Sequence, residues 1–152
     1  MPKYYMAYGS NLSVSQMAFR CPDAKLVGTA TLQDWKLVFR VHATIEPEFG
    51  STVPVLVWKI SDADEAKLDR YEGYPKYYTK ETMPVTVTHL RSKKQKELDC
   101  MVYIMQPDRP VIPPSMQYYN TILEGYRRFG FDRHILFDAF TEAFLNEPAA
   151  ND

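Results

Sequence analysis

Strand-forming and helix-forming patterns occupy different parts of this sequence. Runs rich in β-branched and aromatic residues predict strands at 3–8, 24–31, 34–41 and 53–60. A charged tip, "RSKKQK", joins two longer strand patterns, "YYTKETMPVTVTHL" and "KELDCMVYIMQ", in a hairpin, and helical patterns follow at 115–129 and 133–146. This order is typical of an α+β fold, in which a curved antiparallel or mixed sheet packs against helices, rather than of a doubly wound fold.

Two further helices are predicted between the strands. "SVSQMAFR" at 13–20 begins with a Ser13/Gln16 capping box, and Pro22 follows its end. "SDADEAKLDRYEG" has Ser61 as its N-cap, acidic residues in its first turn, and Gly73 just beyond its last turn. We expect residues 1–152 to form one domain.

Composition restricts the partners of such a chain. The 18 basic and 19 acidic residues nearly balance, so no overall field favours nucleic acid or a membrane surface. The longest apolar run, "VPVLVW", is about six residues, far below the roughly 20 that span a bilayer. Without a signal-peptide pattern, a cytoplasmic location is expected. Cys21 and Cys100 are isolated, which argues against a disulfide framework and a zinc site.

The stretch "AYGSNL" at 7–12 joins the first strand to the first helix. Its simplest interpretation is a turn with a helix cap. A serine in such a turn also resembles a nucleophile elbow, but the elbow sequence GxSxG has glycine where this chain has Leu12. No sequence feature ties His42, His89 or His134 to Ser10 as the base that a serine nucleophile needs. The same turn also directs backbone N–H groups toward a bound anion or oxyanion.

Glu72 is the second residue of interest. It lies in the last turn of a predicted helix, where the helix dipole disfavours a carboxylate by about 0.3 to 1 kcal/mol. Solvent exposure would compensate for this cost. The alternative is a function, because Tyr71, Tyr74, Tyr77 and Tyr78 are close in sequence. A carboxylate among aromatic side chains has a raised pKa, which suits proton transfer near neutral pH.

Six segments in the same order resemble the γ-glutamylcyclotransferase family, including its cytoplasmic animal members. They are "YGSNL", "ATLQDWKL", "ATI" at 43–45, "VLVWKIS", "LDRYEG" and "PPSMQYY", within residues 4–125. The resemblance implies a small barrel-like mixed sheet with packed helices. It also implies an enzyme without metal or cofactor that converts small γ-glutamyl amino acids, peptides or amines into 5-oxoproline and a released amine.

The resemblance also implies roles for individual residues. The glutamate of the family's Glu-Gly pair falls on Glu72, as general base and then general acid. The substrate-binding loop falls on Tyr5, Met6, Ala7, Tyr8, Gly9, Ser10 and Asn11. The family's late tyrosine falls on Tyr118, although Met116 replaces a family proline. A further family tyrosine lies several residues after the Glu-Gly pair. The spacing here is one residue shorter, so Tyr78 is favoured and Tyr77 is the alternative.

Three questions stay open at this level. The same fold could serve as a non-catalytic module that binds a small ligand, or Ser10 could serve an amide hydrolase. The group attached to the γ-carbonyl is not specified by the sequence. Both a monomer and a homodimer are compatible with it.

Overall fold

The computed structural model describes residues 2–146 and confirms a mixed α+β fold. Its strands are β1 (Lys3–Ala7), β2 (Lys25–Arg40), β3 (His42–Ile60), β4 (Tyr78–His89) and β5 (Gln95–Met105). Its helices are α1 (Val14–Arg20), α2 (Asp62–Glu72), α3 (Met116–Phe129) and α4 (Arg133–Leu145), and a short 3-10 helix spans Ser10–Leu12. The predicted hairpin and all four predicted α-helices are therefore present.

The five strands close into a barrel in the order β1-β3-β2-β4-β5. The first strand is antiparallel to β3 and parallel to β5, with Tyr5 paired to Met101. The seam between β2 and β4 is short, because only Gly28 and Thr29 of β2 pair across it. A β-carbon on Gly28 would lie 2.1 Å from the carbonyl oxygen of Thr88, so only glycine fits this seam. The expected barrel-like mixed sheet is confirmed.

The strands predicted at 24–31 and 34–41 are one strand, β2, with an irregularity between them. Asp34 has a φ of 66°, and the pairing with β3 shifts register between Gln33 and Trp35. The Asp34 carboxylate accepts a hydrogen bond from the Gly50 N–H at 2.9 Å. Aspartate tolerates this left-handed backbone better than most residues, which explains why the strand pattern is interrupted but the strand is not.

The strand predicted at 53–60 is also longer than expected, since β3 begins at His42. Its first part, up to Pro47, pairs with the second half of β2. Proline and glycine at 47 and 50 hide this part from a pattern of alternating residues.

The predicted caps define the ends of α2. The Ser61 side chain accepts from the Asp64 N–H at 3.1 Å, and the Asp64 carboxylate accepts from the Ser61 N–H at 3.2 Å. Gly73 ends the helix in the left-handed conformation, with a φ of 66°. In α1, Ser13 caps the Gln16 N–H as predicted, but the reciprocal half of the capping box is absent from the hydrogen bonds of the described residues.

Helix α3 packs directly on the turn that follows β1. A β-carbon on Gly125 would lie 2.6 Å from the β-carbon of Leu12, so the glycine allows the close approach. Leu12 and Tyr126 are fully buried there, and they join the end of β1 to the barrel core. The cysteines at 21 and 100 are free and buried, in agreement with the sequence. Within residues 2–146, no helix combines the length and apolar character needed to cross a bilayer.

Candidate active site

A cavity of about 400 Å³ opens where β1, α2, β4 and α3 converge. The predicted site residues that line it are Tyr5, Met6, Tyr8, Gly9, Ser10, Asn11, Glu72, Tyr78 and Tyr118. Ala7 is the exception, because it is 1% exposed, pairs with Leu56 and packs in the core instead of facing the cavity. Residues about 110 positions apart in the chain therefore contribute to one pocket, from Tyr5 to Tyr118.

The turn after β1 presents unpaired backbone donors. In the part of the chain that the structure describes, no hydrogen bond uses the N–H groups of Gly9, Ser10 or Asn11. The next two N–H groups close the 3-10 turn on the carbonyl oxygens of Gly9 and Ser10. A β-carbon on Gly9 would lie 3.2 Å from the Tyr118 hydroxyl, so a side chain there would crowd this tyrosine. Consecutive free N–H groups of this kind can bind a carboxylate or an oxyanion.

Glu72 is the last residue of α2, and its partly buried side chain lines the same cavity. Burial raises the pKa of Glu72 to about 7, while the positive charge of Arg20 opposes this rise. The direction agrees with the expectation from its aromatic surroundings. A carboxyl group with a pKa near neutrality can both accept and return a proton.

Helix α2 is fixed to the barrel one turn before Glu72. Asp69 accepts a hydrogen bond of 2.6 Å from the Tyr103 hydroxyl, and it forms an ion pair with Lys80 Nζ at 3.0 Å. Lys80 also contacts Glu65 at 2.7 Å. Because Tyr103 lies on β5 and Lys80 on β4, the position of Glu72 is tied to two strands.

Two of the cavity tyrosines, Tyr78 and Tyr118, form hydrogen bonds with backbone groups of Ala43. The Tyr78 hydroxyl donates to the Ala43 carbonyl oxygen at 2.7 Å, and the Tyr118 hydroxyl accepts from the Ala43 N–H at 3.0 Å. No acceptor for the Tyr118 hydroxyl proton occurs among the described hydrogen bonds, so this proton is available to a ligand. The Tyr78 hydroxyl proton is engaged in the hydrogen bond to Ala43, so this hydroxyl can only accept a hydrogen bond from a ligand.

Tyr77 lines the cavity as well, and both tyrosines weighed from the sequence are therefore present. The Tyr77 hydroxyl lies 3.3 Å from Nδ1 of His42, and the Arg109 guanidinium lies 3.9 Å from the centre of its ring. Tyr78 is the more deeply buried of the two.

The Ser10 side chain lacks the histidine partner that a nucleophile requires. Its Oγ lies 3.1 Å from the Tyr71 hydroxyl. His42 lines the cavity but contacts Tyr77, while the histidines at 89 and 134 lie outside the lining. The geometry favours a positioning contact for Ser10 over nucleophilic catalysis.

The structure adds residues to the cavity that the sequence did not single out. They are His42, Ala43, Arg70, Tyr71, Gly73 and Tyr103. Most of them had a usable signal. Ala43 lies in the matched "ATI" segment, Arg70, Tyr71 and Gly73 lie in the matched "LDRYEG" segment, and Tyr103 alternates with core residues in "CMVYIM". Apart from this segment match Arg70 gave no signal, because an arginine on an exposed helix face is usually only solvated.

Comparison with known proteins places this fold and cavity in a family. The family model described as "Gamma-glutamyl cyclotransferase, AIG2-like" matches residues 5–127. A gamma-glutamylcyclotransferase from Bos taurus is 33% identical over 138 residues, which cover 83% of this chain and 71% of the relative. The gamma-glutamylcyclotransferase from Homo sapiens is 32% identical over 139 residues, with the same coverage.

A solved structure titled "Gamma-glutamyl cyclotransferase" superposes with a TM-score of 0.73 and 28% identity, covering 98% of this chain and 90% of the other. The sequence and structural matches thus agree with each other and with the six segments quoted above. This chain therefore belongs to the gamma-glutamyl cyclotransferase, AIG2-like family, and it is an enzyme of the γ-glutamylcyclotransferase type.

Proposed function

We propose that this enzyme releases 5-oxoproline and a free amine or amino acid from a γ-glutamyl amino acid, peptide or amine. The observation that carries the proposal is the placement of Glu72, with a pKa of about 7, in the same cavity as the unpaired N–H groups of Gly9, Ser10 and Asn11. Membership of the family supports the same reaction class.

The substrate supplies its own nucleophile in this reaction. The α-amino nitrogen attacks the γ-carbonyl carbon and closes a five-membered ring, so a C–N bond forms and the carbonyl oxygen becomes an oxyanion. The original amide C–N bond then breaks and the carbonyl re-forms. Holding the glutamyl chain in the folded shape is proximity catalysis, which contributes roughly 7 to 11 kcal/mol in the best cases.

Glu72 moves the proton that this exchange requires. The substrate α-ammonium loses one proton to the Glu72 carboxylate before the attack, and Glu72 returns this proton to the leaving nitrogen. The ring nitrogen loses its second proton after the attack, and the released amine takes up that proton. With ordinary pKa values of about 4.3 for glutamate and about 8 for an α-amine, the first transfer is uphill by roughly 5 kcal/mol. A Glu72 pKa of about 7 reduces the difference to about 1 kcal/mol.

The remaining cavity groups bind and orient the substrate. The free N–H groups of the loop bind the glutamyl α-carboxylate or the oxyanion at the γ-carbon. The Tyr118 hydroxyl has a proton to give to a substrate oxygen, and the Tyr78 hydroxyl accepts from a substrate N–H. These contacts are charge-assisted on the substrate side, which makes them the stronger kind of hydrogen bond.

The test is a panel of γ-glutamyl dipeptides, tripeptides and amines with 5-oxoproline as the product measured. Formation of 5-oxoproline from at least one member is expected. If none forms from any member, the proposal is wrong, and binding without turnover would instead favour a ligand-binding module on this fold. Ser10→Ala separates the hydrolase alternative, because cyclisation should persist in this variant while hydrolysis by Ser10 would disappear.

A further inference from the structure

We propose that Arg20 is a positioning residue that holds the loop at Ser10 and Asn11 in register with the Glu72 end of α2. The inference rests on the proposed function and deepens it. Arg20 does not line the cavity, and neither the sequence patterns nor the matched segments assign it a role. Its side chain nevertheless connects the two parts of the site that must act on one substrate.

The connection is a closed ring of contacts. The Arg20 guanidinium donates through Nη1 to Asn11 Oδ1. Its central carbon lies 3.5 Å from the centre of the Tyr71 ring. The Tyr71 hydroxyl then lies 3.1 Å from Ser10 Oγ, and Ser10 precedes Asn11 in the chain. The ring thus joins the loop to the residue immediately before Glu72.

The ring leaves little freedom to the loop. Asn11 is 2% exposed, and its amide uses both ends, since Nδ2 donates to the Tyr5 hydroxyl at 3.0 Å. Loss of Arg20 would leave Asn11 Oδ1 buried without this partner. An unsatisfied buried acceptor destabilises the folded state more than the loss of a solvent-exposed hydrogen bond does. The backbone N–H of Asn11 belongs to the same residue, so a change in its side chain also displaces a substrate-binding donor.

Arginine suits this place better than lysine does. A planar guanidinium can stack on an aromatic ring and donate in its own plane at the same time, whereas an ammonium group has no plane. Arg20 also lies in the last turn of α1, where a positive charge is favourable for the helix. Lysine would keep the charge but lose the stacked geometry.

Arg20 is the charged neighbour that acts on Glu72. Tyr5 and Tyr8 from β1 and its loop, Tyr78 from β4 and Tyr118 from α3 also face it. Burial raises the pKa of each of these tyrosines, so they stay neutral in an assay near pH 7.

Two basic residues line the cavity besides these tyrosines. Burial lowers the pKa of His42, so its ring is mostly neutral near pH 7. Arg70 is present in every variant considered below and does not change between them. Replacement of Arg20 by a neutral residue therefore raises the pKa of Glu72.

The experiment compares Arg20→Met and Arg20→Lys with the wild type, and Arg91→Met serves as the matched control. Arg91 is exposed at the β4–β5 tip, so this control removes the same charge away from the cavity. For Arg20→Met we expect kcat/KM to fall by about 10²-fold, largely through KM. The acidic limb of its pH profile should move to higher pH. Arg20→Lys should lose kcat/KM but keep the limb in place, and Arg91→Met should match the wild type.

A purely structural role would give a different result. It would lower the melting temperature and the active fraction, and it would leave KM and the pH limb of the folded Arg20→Met enzyme unchanged. That outcome would overturn the inference. If Arg20→Met does not fold, Arg20→Lys still removes the stacked guanidinium while keeping the charge, and an unchanged KM in that variant would also overturn the inference.

A measurement without turnover separates this inference from the proposed function. The carboxyl carbon of Glu72, labelled with ¹³C and assigned with Glu72→Gln, reports the Glu72 titration directly by NMR. We expect a higher midpoint in Arg20→Met than in the wild type, whether or not 5-oxoproline forms. Equal midpoints would refute the inference even in an active enzyme.

Discussion

Ionisation of the Glu72 carboxyl group is opposed twice in this structure. The side chain is partly buried among tyrosines, and it lies in the last turn of α2, where the helix dipole disfavours a negative charge. Both effects favour the protonated acid. Burial raises the pKa of Glu72 to about 7, and the positive charge of Arg20 opposes this rise.

Replacement of Glu72 by glutamine should abolish the proton transfer while keeping the shape of the side chain. We expect kcat to fall by at least about 10²-fold, the usual range for a positioned acid-base group. In the wild type, kcat/KM should rise with pH through about 7, because Glu72 must be ionised to accept the proton. Initial rates of 5-oxoproline release between pH 5 and pH 9 would measure both. Turnover of Glu72→Gln at the wild-type rate would exclude Glu72 as the base.

The same substitution should also change stability in a pH-dependent way. The folded pKa of about 7 lies above the ordinary value of 4.5, so the wild type loses stability as pH rises from about 4.5 through 7. Above that range Glu72→Gln should be more stable than the wild type, by at most about 3 kcal/mol. Below pH 4.5 the difference should vanish. Urea denaturation at pH 4 and pH 8.5 would measure it, and a constant difference would contradict the pKa assigned to the folded state.

For individual residues, the sequence was informative about those in matched or alternating patterns. It was uninformative about contacts between residues that are distant in the chain. Glu72 and the loop at 9–11 were identified because they form local patterns. Ala7 does not line the cavity, since a segment match does not distinguish a residue that faces the cavity from one that faces the core. The role proposed for Arg20 depends on a contact with Tyr71, which only the fold brings close.

Two of the helices end at a glycine, which allows a controlled comparison of the two positions. Gly73 ends α2 and Gly130 ends α3, both in the left-handed conformation, with φ of 66° and 69°. A β-carbon on Gly130 meets no atom within 4 Å, whereas one on Gly73 lies 3.0 Å from the β-carbon of Tyr77. The two positions therefore share backbone strain but differ in crowding.

Gly73→Ala and Gly130→Ala should separate these two effects. Each should lose about 1 to 2 kcal/mol of unfolding free energy from the left-handed backbone. Gly73→Ala should lose more, because the new methyl group pushes against Tyr77, and it should also lower kcat by displacing Glu72. Chemical denaturation and initial rates would measure both variants. Equal losses with unchanged kcat in both would show that the Gly73 contact does not position Glu72.

The helices were predictable and the long strands were not, for one physical reason. Caps such as Ser61 and Asp132 act within a few residues, so their sequence signal is complete in itself. The extent of β2 and β3 depends on pairing between them, and the left-handed Asp34 merely bends a strand that its partner maintains. Barrel closure is likewise absent from any local pattern.

On the scale of the whole molecule, closure depends on a short seam. The first part of β2 pairs with the end of β4 at Gly28 and Thr29, and the Leu90 N–H adds one hydrogen bond to the Val27 carbonyl oxygen. Gly28 lies against the backbone of Thr88. Adding a single β-carbon at Gly28 should therefore disturb the closure of the barrel.

Gly28→Ala should destabilise the fold more than any other single methyl group proposed above. A β-carbon at 2.1 Å from a backbone oxygen requires the strands to separate, and we expect a loss of at least about 3 kcal/mol. Thr29→Ala, in the same seam, adds no atom and should lose less than about 1 kcal/mol. Thermal and urea denaturation of both variants would measure this. Similar stability of the two variants would mean that the seam can open without unfolding.

The parallel pairing of β1 with β5 joins a segment made early in synthesis to one made much later. The loop and Glu72 emerge from a ribosome first, but β1 cannot complete its pairing until Met101 has been made, and the cavity lacks Tyr118 for longer still. At the usual elongation speed, about 2 to 9 seconds pass between residues 72 and 118. A nascent chain thus carries its proton-transferring group before it has a closed pocket to use it in. Turnover therefore requires β1 to meet β5 and α3, which are made later than Glu72.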